Sequence, residues 1–408
     1  MCKAHVVPPE RPATADPDRL SVGFDATPLI GRPTGVGVFC AGALEGLAHR
    51  DDVDVSAYAV SWRRRKGISE LVPPGVATAQ RPMPARPLHA AWSRLAVPPL
   101  EWFVGDVDVV HGSNFVVPPT KRAARVVTVH DLTVTRFPEL CDEPTLAYPA
   151  LIRRAVSQGA WVHTPSAFVA AEVVEEFEID PERVRAVHHG VPRLAAVHDA
   201  EVGPRSDGSG PSPVTLPDGC SRYVLAVGTI EPRKDYPLLV RSFAAVVAAH
   251  PDVALVIVGG DGWGAGRFAE AVAASSVRDR IIRPGYIDDA ALATVLRGAA
   301  VLAYPSRYEG FGFPPLQAMA AGVPVVATGG GAVPEVVGDG AWLVAPGDED
   351  ALAEQLVRAL SAGDDVEALI ARGRVRSASF TWERCADGLV GLYRDAAADR
   401  PRGRGAAA

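Results

Sequence analysis

Lysine is almost missing from this 408-residue chain: Lys3, Lys66, Lys121 and Lys234 are the only four, and arginine carries the remaining positive charge. Each lysine is conspicuous for that reason. The five cysteines (Cys2, Cys40, Cys141, Cys220, Cys385) are an odd number, scattered, and without a CxxC pair. They suggest neither a disulfide framework nor a zinc site, so a reducing compartment is the default. A basic field is lacking too. The formal net charge is −7, which gives nucleic acid nothing to bind. Residues 1–18 are polar and dotted with proline; they read as a disordered lead, not a signal peptide, and a cytoplasmic protein is expected. The stretch Phe311 to Pro334 has no charged side chain, yet glycines and prolines break it into pieces too short to span a membrane. Peripheral membrane contact is the most that this sequence allows.

The length suffices for two domains, and a hydrophobic content of 48% allows each a core. Leu20 to Asp25 predicts an opening strand, then a loop Thr34-Gly35-Val36-Gly37 and a helix through Leu47. Nucleotide-binding α/β domains begin in that order, although a lone GxG also serves a tight turn. Val53 to Val60 is a second strand. The basic cluster Arg63-Arg64-Arg65-Lys66 reads as a solvated loop, with contact to an anionic acceptor or membrane surface as its functional alternative. Leu88 to Val104 has apolar residues at helical spacing, interrupted by Pro98-Pro99, and suits the core, with the wall of an acceptor groove as its alternative. Asp106-Val107-Asp108 has the form of a metal-binding DxD, but its context reads as a turn entering a strand over Val107–His111. Arg125 to Asp131 (RVVTVHD) is a strand ending in His130 and Asp131, and ligands in open α/β sheets sit at such carboxyl ends. Trp161 to Phe168 is a strand and turn in which Ser166 caps the following helix. Val184 to Val191 closes the domain, with His188 and His189 in structural roles.

Residues 193–219 are rich in Pro, Gly, Ser and Asp, a linker composition. A new strand–helix alternation follows, which predicts a second parallel sheet with helices on both faces. Its loop Gly228 to Asp235 (GTIEPRKD) puts Arg233 and Lys234 between a strand and a helix. A guanidinium fork beside an ammonium suits a diphosphate; the bland alternative is a surface turn with internal salt bridges. Farther on come a strand ending near Tyr304, a loop carrying Glu309, a helix from about Pro314 to Ala321, a strand Val323–Ala327 and the glycine loop Gly329-Gly330-Gly331. Gly310, Phe311 and Gly312 then approach the positive end of a helix, a place for an anion or polar ligand. Phe380 to Asp395 is amphipathic, and the last residues read as a disordered tail.

The segment Glu309 to Gln317, EGFGFPPLQ, resembles the donor-binding signature of the family 4 retaining glycosyltransferases. GTIEPRKD resembles that family's diphosphate-binding segment, and VHDL around His130 its donor-cleft histidine. The resemblance covers most of the chain, in order. It implies an α/β, GT-B fold: two Rossmann-like doubly wound domains facing a central cleft. The acceptor domain would be 19–192, the linker 193–220, the nucleotide-sugar domain 221–379, and a terminal helix 380–397 would cross back onto the first domain. It implies retaining transfer of a mannosyl or related hexosyl group. The donor would be a GDP- or UDP-linked sugar, and the acceptor a hydroxyl of a glycan, lipid-linked saccharide or metabolite. By the same resemblance Arg233 and Lys234 stabilise the departing diphosphate, Glu309 bonds a hydroxyl of the donor sugar, and His130 contacts the sugar's other side. Gly35 and Gly37 let the backbone approach the diphosphate, backbone near Ile287 reads the base, and neither metal nor cofactor is required. Where the family has a second Glu this chain has Gln317, which keeps an acceptor oxygen but loses the charge; weaker ribose binding is expected. Two alternatives stay open here: a nucleotide-sugar-binding GT-B protein without transferase activity, which Gln317 favours, and a nucleotide-sugar epimerase.

Overall fold

The computed structural model of the chain describes residues 19–31, 34–61, 67–79, 81–141, 145–192 and 214–400. The lead, the basic cluster at 63–66, most of the linker and the terminal tail lie outside the described residues. The chain divides into two compact units, Met1–Gly190 with Thr381–Ala408, and Val191–Phe380. Where the chain enters and leaves the second unit, the Val191 N–H donates to the Phe380 carbonyl at 3.0 Å.

The first unit holds seven parallel strands, β1 (Leu20–Asp25), β2 (Val53–Tyr58), β3 (Ala77–Thr78), β4 (Val109–Gly112), β5 (Ala124–Thr128), β6 (Trp161–Thr164) and β7 (Val184–Ala186). Their order is β3-β2-β1-β4-β5-β6-β7, a doubly wound sheet whose direction of build reverses between β1 and β4. The helix Gly35–Ala48 follows β1 and starts earlier than the sequence suggests. Thr34 has extended backbone and its hydroxyl accepts from the Gly37 N–H, so Gly35 and Gly37 lie in the first helical turn and not in a loop. Strand β5 likewise ends at Thr128, before the predicted His130, because the chain there turns and Asp131 takes the Thr133 N–H at 2.9 Å. Asp108 is spent on structure: its carboxylate accepts from the Ser21 N–H and hydroxyl at 3.0 and 2.8 Å.

The helix Trp382–Ala398 belongs to this unit and is tied to it along its length. Trp382 lies so close over Gly42 that a β-carbon there would overlap the indole, which is why a glycine stands inside a helix. Farther along, Tyr393 is fully buried, and Arg394 and Asp395 pair with Asp52 and Arg185 at 2.6 Å each.

The second unit has six parallel strands, β8 (Arg222–Val227), β9 (Val253–Val258), β10 (Ile281–Gly285), β11 (Val301–Tyr304), β12 (Val325–Thr328) and β13 (Trp342–Val344), in the order β10-β9-β8-β11-β12-β13. Strand β9 shows why a parallel sheet reads as one apolar run. Val253, Leu255 and Ile257 enter one core while Ala254, Val256 and Val258 enter the other. Each larger side chain so buried contributes about 1.5–3 kcal/mol. The direction of build reverses between β8 and β11, and the GTIEPRKD and EGFGFPPLQ segments follow those two strands. Two elements differ from expectation: the strand before the glycine loop is Val325–Thr328, and a helix Asp364–Ala378 lies between the last strand and the terminal helix. That helix is rich in charge and has little apolar periodicity to announce it.

Candidate functional site

Beyond β8 the chain forms the turn Gly228–Asp235, and beyond β11 the loop Pro305–Gly312. Because β8 and β11 are neighbours, these loops meet at the carboxyl edge of the sheet. The Arg307 N–H donates to the Arg233 carbonyl at 2.8 Å, and the Arg307 guanidinium pairs with Asp235 at 2.6 Å, stitching the loops together. Open α/β sheets bind ligands at this kind of reversal point.

Glu309 lies at the centre and is buried. Its Oε2 accepts from Nη1 of Arg233 at 2.6 Å and its Oε1 from Nζ of Lys234 at 2.5 Å. Burial pushes the carboxyl up, but Arg233 and Lys234 outweigh it and hold Glu309 down at about 2. For Lys234 the balance runs the other way. It is buried, it shares its one carboxylate partner with Arg233, and burial together with that neighbour keeps the ammonium below its ordinary value. One anion between two cations is well compensated; the cations are less so. Lys234 also donates to the Tyr304 hydroxyl at 3.1 Å and lies 5.0 Å from the centre of that ring. Arg233 has a second carboxylate, Glu231, 2.9 Å from its Nε.

The loop bearing Glu309 is held from behind by the glycine loop after β12. Gly331 has φ of 64°, and a β-carbon there would lie 2.7 Å from the Glu309 amide nitrogen and nearer still to its carbonyl oxygen. The Ala332 N–H donates to that carbonyl at 2.8 Å. Gly310, Phe311 and Gly312 are buried and lead into the helix Phe313–Ala321. Of the first four backbone positions there, two are Pro314 and Pro315, so Gly312 and Phe313 alone bring an N–H to the positive end. Gln317 is half-buried on that helix, and Ile287, just past β10, packs half-buried against the core.

In the first unit His130 lies past the end of β5. Its Nε2 donates to the Ser113 carbonyl at 2.8 Å, and its ring stands edge-on to Phe39 and Phe115. Burial lowers its affinity for protons, so the ring is neutral with its proton on Nε2. It is one of four clustered histidines. His111 bonds the Tyr393 hydroxyl at 2.6 Å and Thr128 at 2.7 Å; Thr128 in turn bonds His163 at 2.9 Å. His189 lies against Phe39 with ring centres 4.4 Å apart.

The sequence therefore named Arg233, Lys234 and Glu309, and the structure brings these three together. Glu231 and Tyr304 were missed. Glu231 sits two residues before Arg233 in the same motif and was legible there; Tyr304 shows only as the last residue of an apolar strand. Among the described residues no group of three or more His, Cys, Asp or Glu is arranged to hold a metal, and no helix is long and apolar enough to cross a membrane.

Two parallel-sheet Rossmann-like units, each followed or preceded by its partner in one chain, define the GT-B class, and comparison with known proteins agrees. The Anabaena HepE structure in complex with UDP and glucose superposes with a TM-score of 0.67 at 16% identity, over 92% of this chain and all of that one. The model for Glycosyltransferase Family 4 matches residues 33–193, and that for Glycosyl transferases group 1 matches 213–376. The MMP alpha-(1->4)-mannosyltransferase of Mycolicibacterium hassiacum is 30% identical over 72% of each chain. O-antigen chain mannosyltransferase B of Escherichia coli is 29% identical over 70% of this chain and 74% of its own. The chain belongs to the family 4 glycosyltransferases and is a glycosyltransferase.

Proposed function

We propose that this protein transfers a hexosyl group, in the first instance mannosyl, from a nucleoside diphosphate sugar to a hydroxyl of a saccharide or small-molecule acceptor, with retention at the anomeric carbon. The observation that carries this reading is the meeting of Arg233 and Lys234 with Glu309 where the sheet reverses its build. As the glycosidic bond breaks, negative charge grows on the diphosphate and positive charge on the sugar ring. Arg233 and Lys234 are fixed before the reaction and take the first charge; Glu309 bonds the sugar near the second. Tyr304 and Glu231 hold the two cations in place. His130, neutral and with its Nδ1 turned away from the Ser113 bond, accepts a hydrogen bond from the sugar's other side. Gly35 and Gly37 are assigned to the diphosphate, Gly310, Phe311, Gly312 and Gln317 to the ribose end of the donor, and Ile287 to the base.

Mannosyl is favoured because two relatives bear the name mannosyltransferase, whereas HepE was crystallised with UDP and glucose. The base is thus the first thing to measure. GDP-mannose and UDP-glucose are each incubated with the protein, with and without EDTA, alongside α-mannoside and inositol phosphate acceptors. The anomeric configuration of any product is read by NMR. An α-linked product from one donor, formed equally in EDTA, supports retention and a metal-free site. A β-linked product, or turnover abolished by EDTA, overturns that part of the reading.

A further inference from the structure

The two loops that meet at the donor site carry Arg233, Lys234 and Arg307 against Glu231, Asp235 and Glu309, so their formal charges cancel. Every one of those cations already has a carboxylate within 2.9 Å. A diphosphate arriving here meets no unclaimed positive charge. The three carboxylates are not equal, however. Glu231 and Asp235 sit on the same turn as Arg233 and Lys234, whereas Glu309 comes from the other strand's loop and is the only one that touches both cations.

We propose that Glu309 determines donor specificity by competing with the diphosphate for Arg233 and Lys234, so that the site favours an intact nucleotide sugar over a bare nucleoside diphosphate. This rests on the assignment of the two cations to the diphosphate. When the diphosphate takes Arg233 and Lys234, the Glu309 carboxylate loses both partners while still buried, an arrangement that is strongly unfavourable. Sugar hydroxyls donate hydrogen bonds and can replace them; a bare diphosphate has nothing to offer. The sugar is therefore required to satisfy the anion that the phosphates displace. The same competition helps to expel the product, since Glu309 reclaims the cations once the sugar has left.

The test is calorimetric titration of the full chain, as wild type, Glu309→Gln and Glu309→Ala, with UDP, GDP, UDP-glucose and GDP-mannose. The wild type should bind its sugar nucleotide at least tenfold tighter than the matching diphosphate. Glu309→Gln should bind the bare diphosphate about tenfold tighter than the wild type does, roughly 1.4 kcal/mol, and the preference for the sugar nucleotide should nearly vanish. A Glu309→Gln variant that binds the diphosphate no better, or that keeps the full preference, overturns the competition while leaving the diphosphate assignment intact. No binding of any nucleotide to wild type or variants overturns both. Binding of a bare diphosphate to the variants alone supports the proposal. Should the variants not fold, the wild-type ratio decides: equal affinity for diphosphate and sugar nucleotide refutes it.

Discussion

Gly331 tests whether the glycine loop positions Glu309 without touching its chemistry. Alanine at a φ of 64° costs about 1–2 kcal/mol in backbone strain. Its β-carbon would start 2.7 Å from the Glu309 amide nitrogen, so the two backbones must part by about half an ångström or more. Both are main chain and neither can rotate aside. The bond from the Ala332 N–H to the Glu309 carbonyl is then strained or lost, for about 1 kcal/mol more. The total, about 2–3 kcal/mol, lowers the melting temperature of a unit this size by roughly 5–10 °C. Displacing a reacting group by about 1 Å costs on the order of a hundredfold in rate, so turnover should fall by roughly tenfold to a hundredfold although every charged side chain is retained. Thermal unfolding and single-donor turnover on Gly331→Ala measure the two effects. A variant that melts within about a degree of the wild type and turns over within about twofold would show that the glycine loop does not set the position of Glu309.

Lys234→Met and Arg233→Met should each lower turnover by about a hundredfold to a thousandfold, since each removes a preorganised charge from the leaving group; losses under about tenfold would place the diphosphate elsewhere. Gln317→Glu should lower the donor KM several-fold by restoring a charge-assisted bond, and an unchanged KM would remove Gln317 from the ribose. The first unit should lose stability in mild acid. His111, His163 and His189 are buried and neutral, with proton affinities lowered by burial, His163 to about 3. The unfolded chain takes up protons below about pH 6.5 that the folded chain refuses, so their stability is full above that pH. It falls by about 1.4 kcal/mol per histidine per pH unit below it. Asp25, raised by burial to about 6, partly offsets this by gaining a proton in the folded state first. Urea unfolding at pH 7 and pH 5 should differ by roughly 3–5 kcal/mol, and equal midpoints would contradict the buried neutral cluster.

How much of this was legible follows from how local each signal is. The opening strand Leu20–Asp25 and the end of strand β11 at Tyr304 were legible, because apolar runs and turn residues are local patterns. So was the Ser166 cap, whose hydroxyl accepts from Val169 N–H at 3.3 Å. Arg233, Lys234 and Glu309 could be named from two motifs, but their pairing could not. The partners lie 75 and 76 residues apart, and only the order of strands makes them neighbours. From the motif alone the cations suit a diphosphate, or else salt bridges inside their own turn; a partner on a distant loop is not visible there. His111 and His163 escaped notice for a related reason: each sits inside a short apolar strand, and neither carries a motif. The bond from Thr128 to His163 and the one from His111 to Tyr393 exist because register and the returning terminal helix bring them together.

The first six strands of the first unit follow the same order as the six of the second, yet the units fill the reversal point in opposite ways. In the second, the loops after β8 and β11 present ion pairs. In the first, the β1 end carries Asp25, held by the Thr27 N–H and hydroxyl at 2.9 and 2.5 Å, and the loops after β4 and β5 carry Ser113 and His130. Ser113 also donates to the Asp25 carbonyl at 2.7 Å. Apart from the carboxylates of Asp25 and Asp131, these side chains are uncharged groups suited to hydroxyl-bearing ligands. The fold supplies the place in both cases, and the loop residues decide the chemistry. In the first unit Thr34 caps the helix Gly35–Ala48 through the Gly37 N–H, and Ser113 and His130 donate to carbonyl groups. In the second unit the charges on the two loops cancel before any ligand arrives, and the proposed competition at Glu309 follows from that balance.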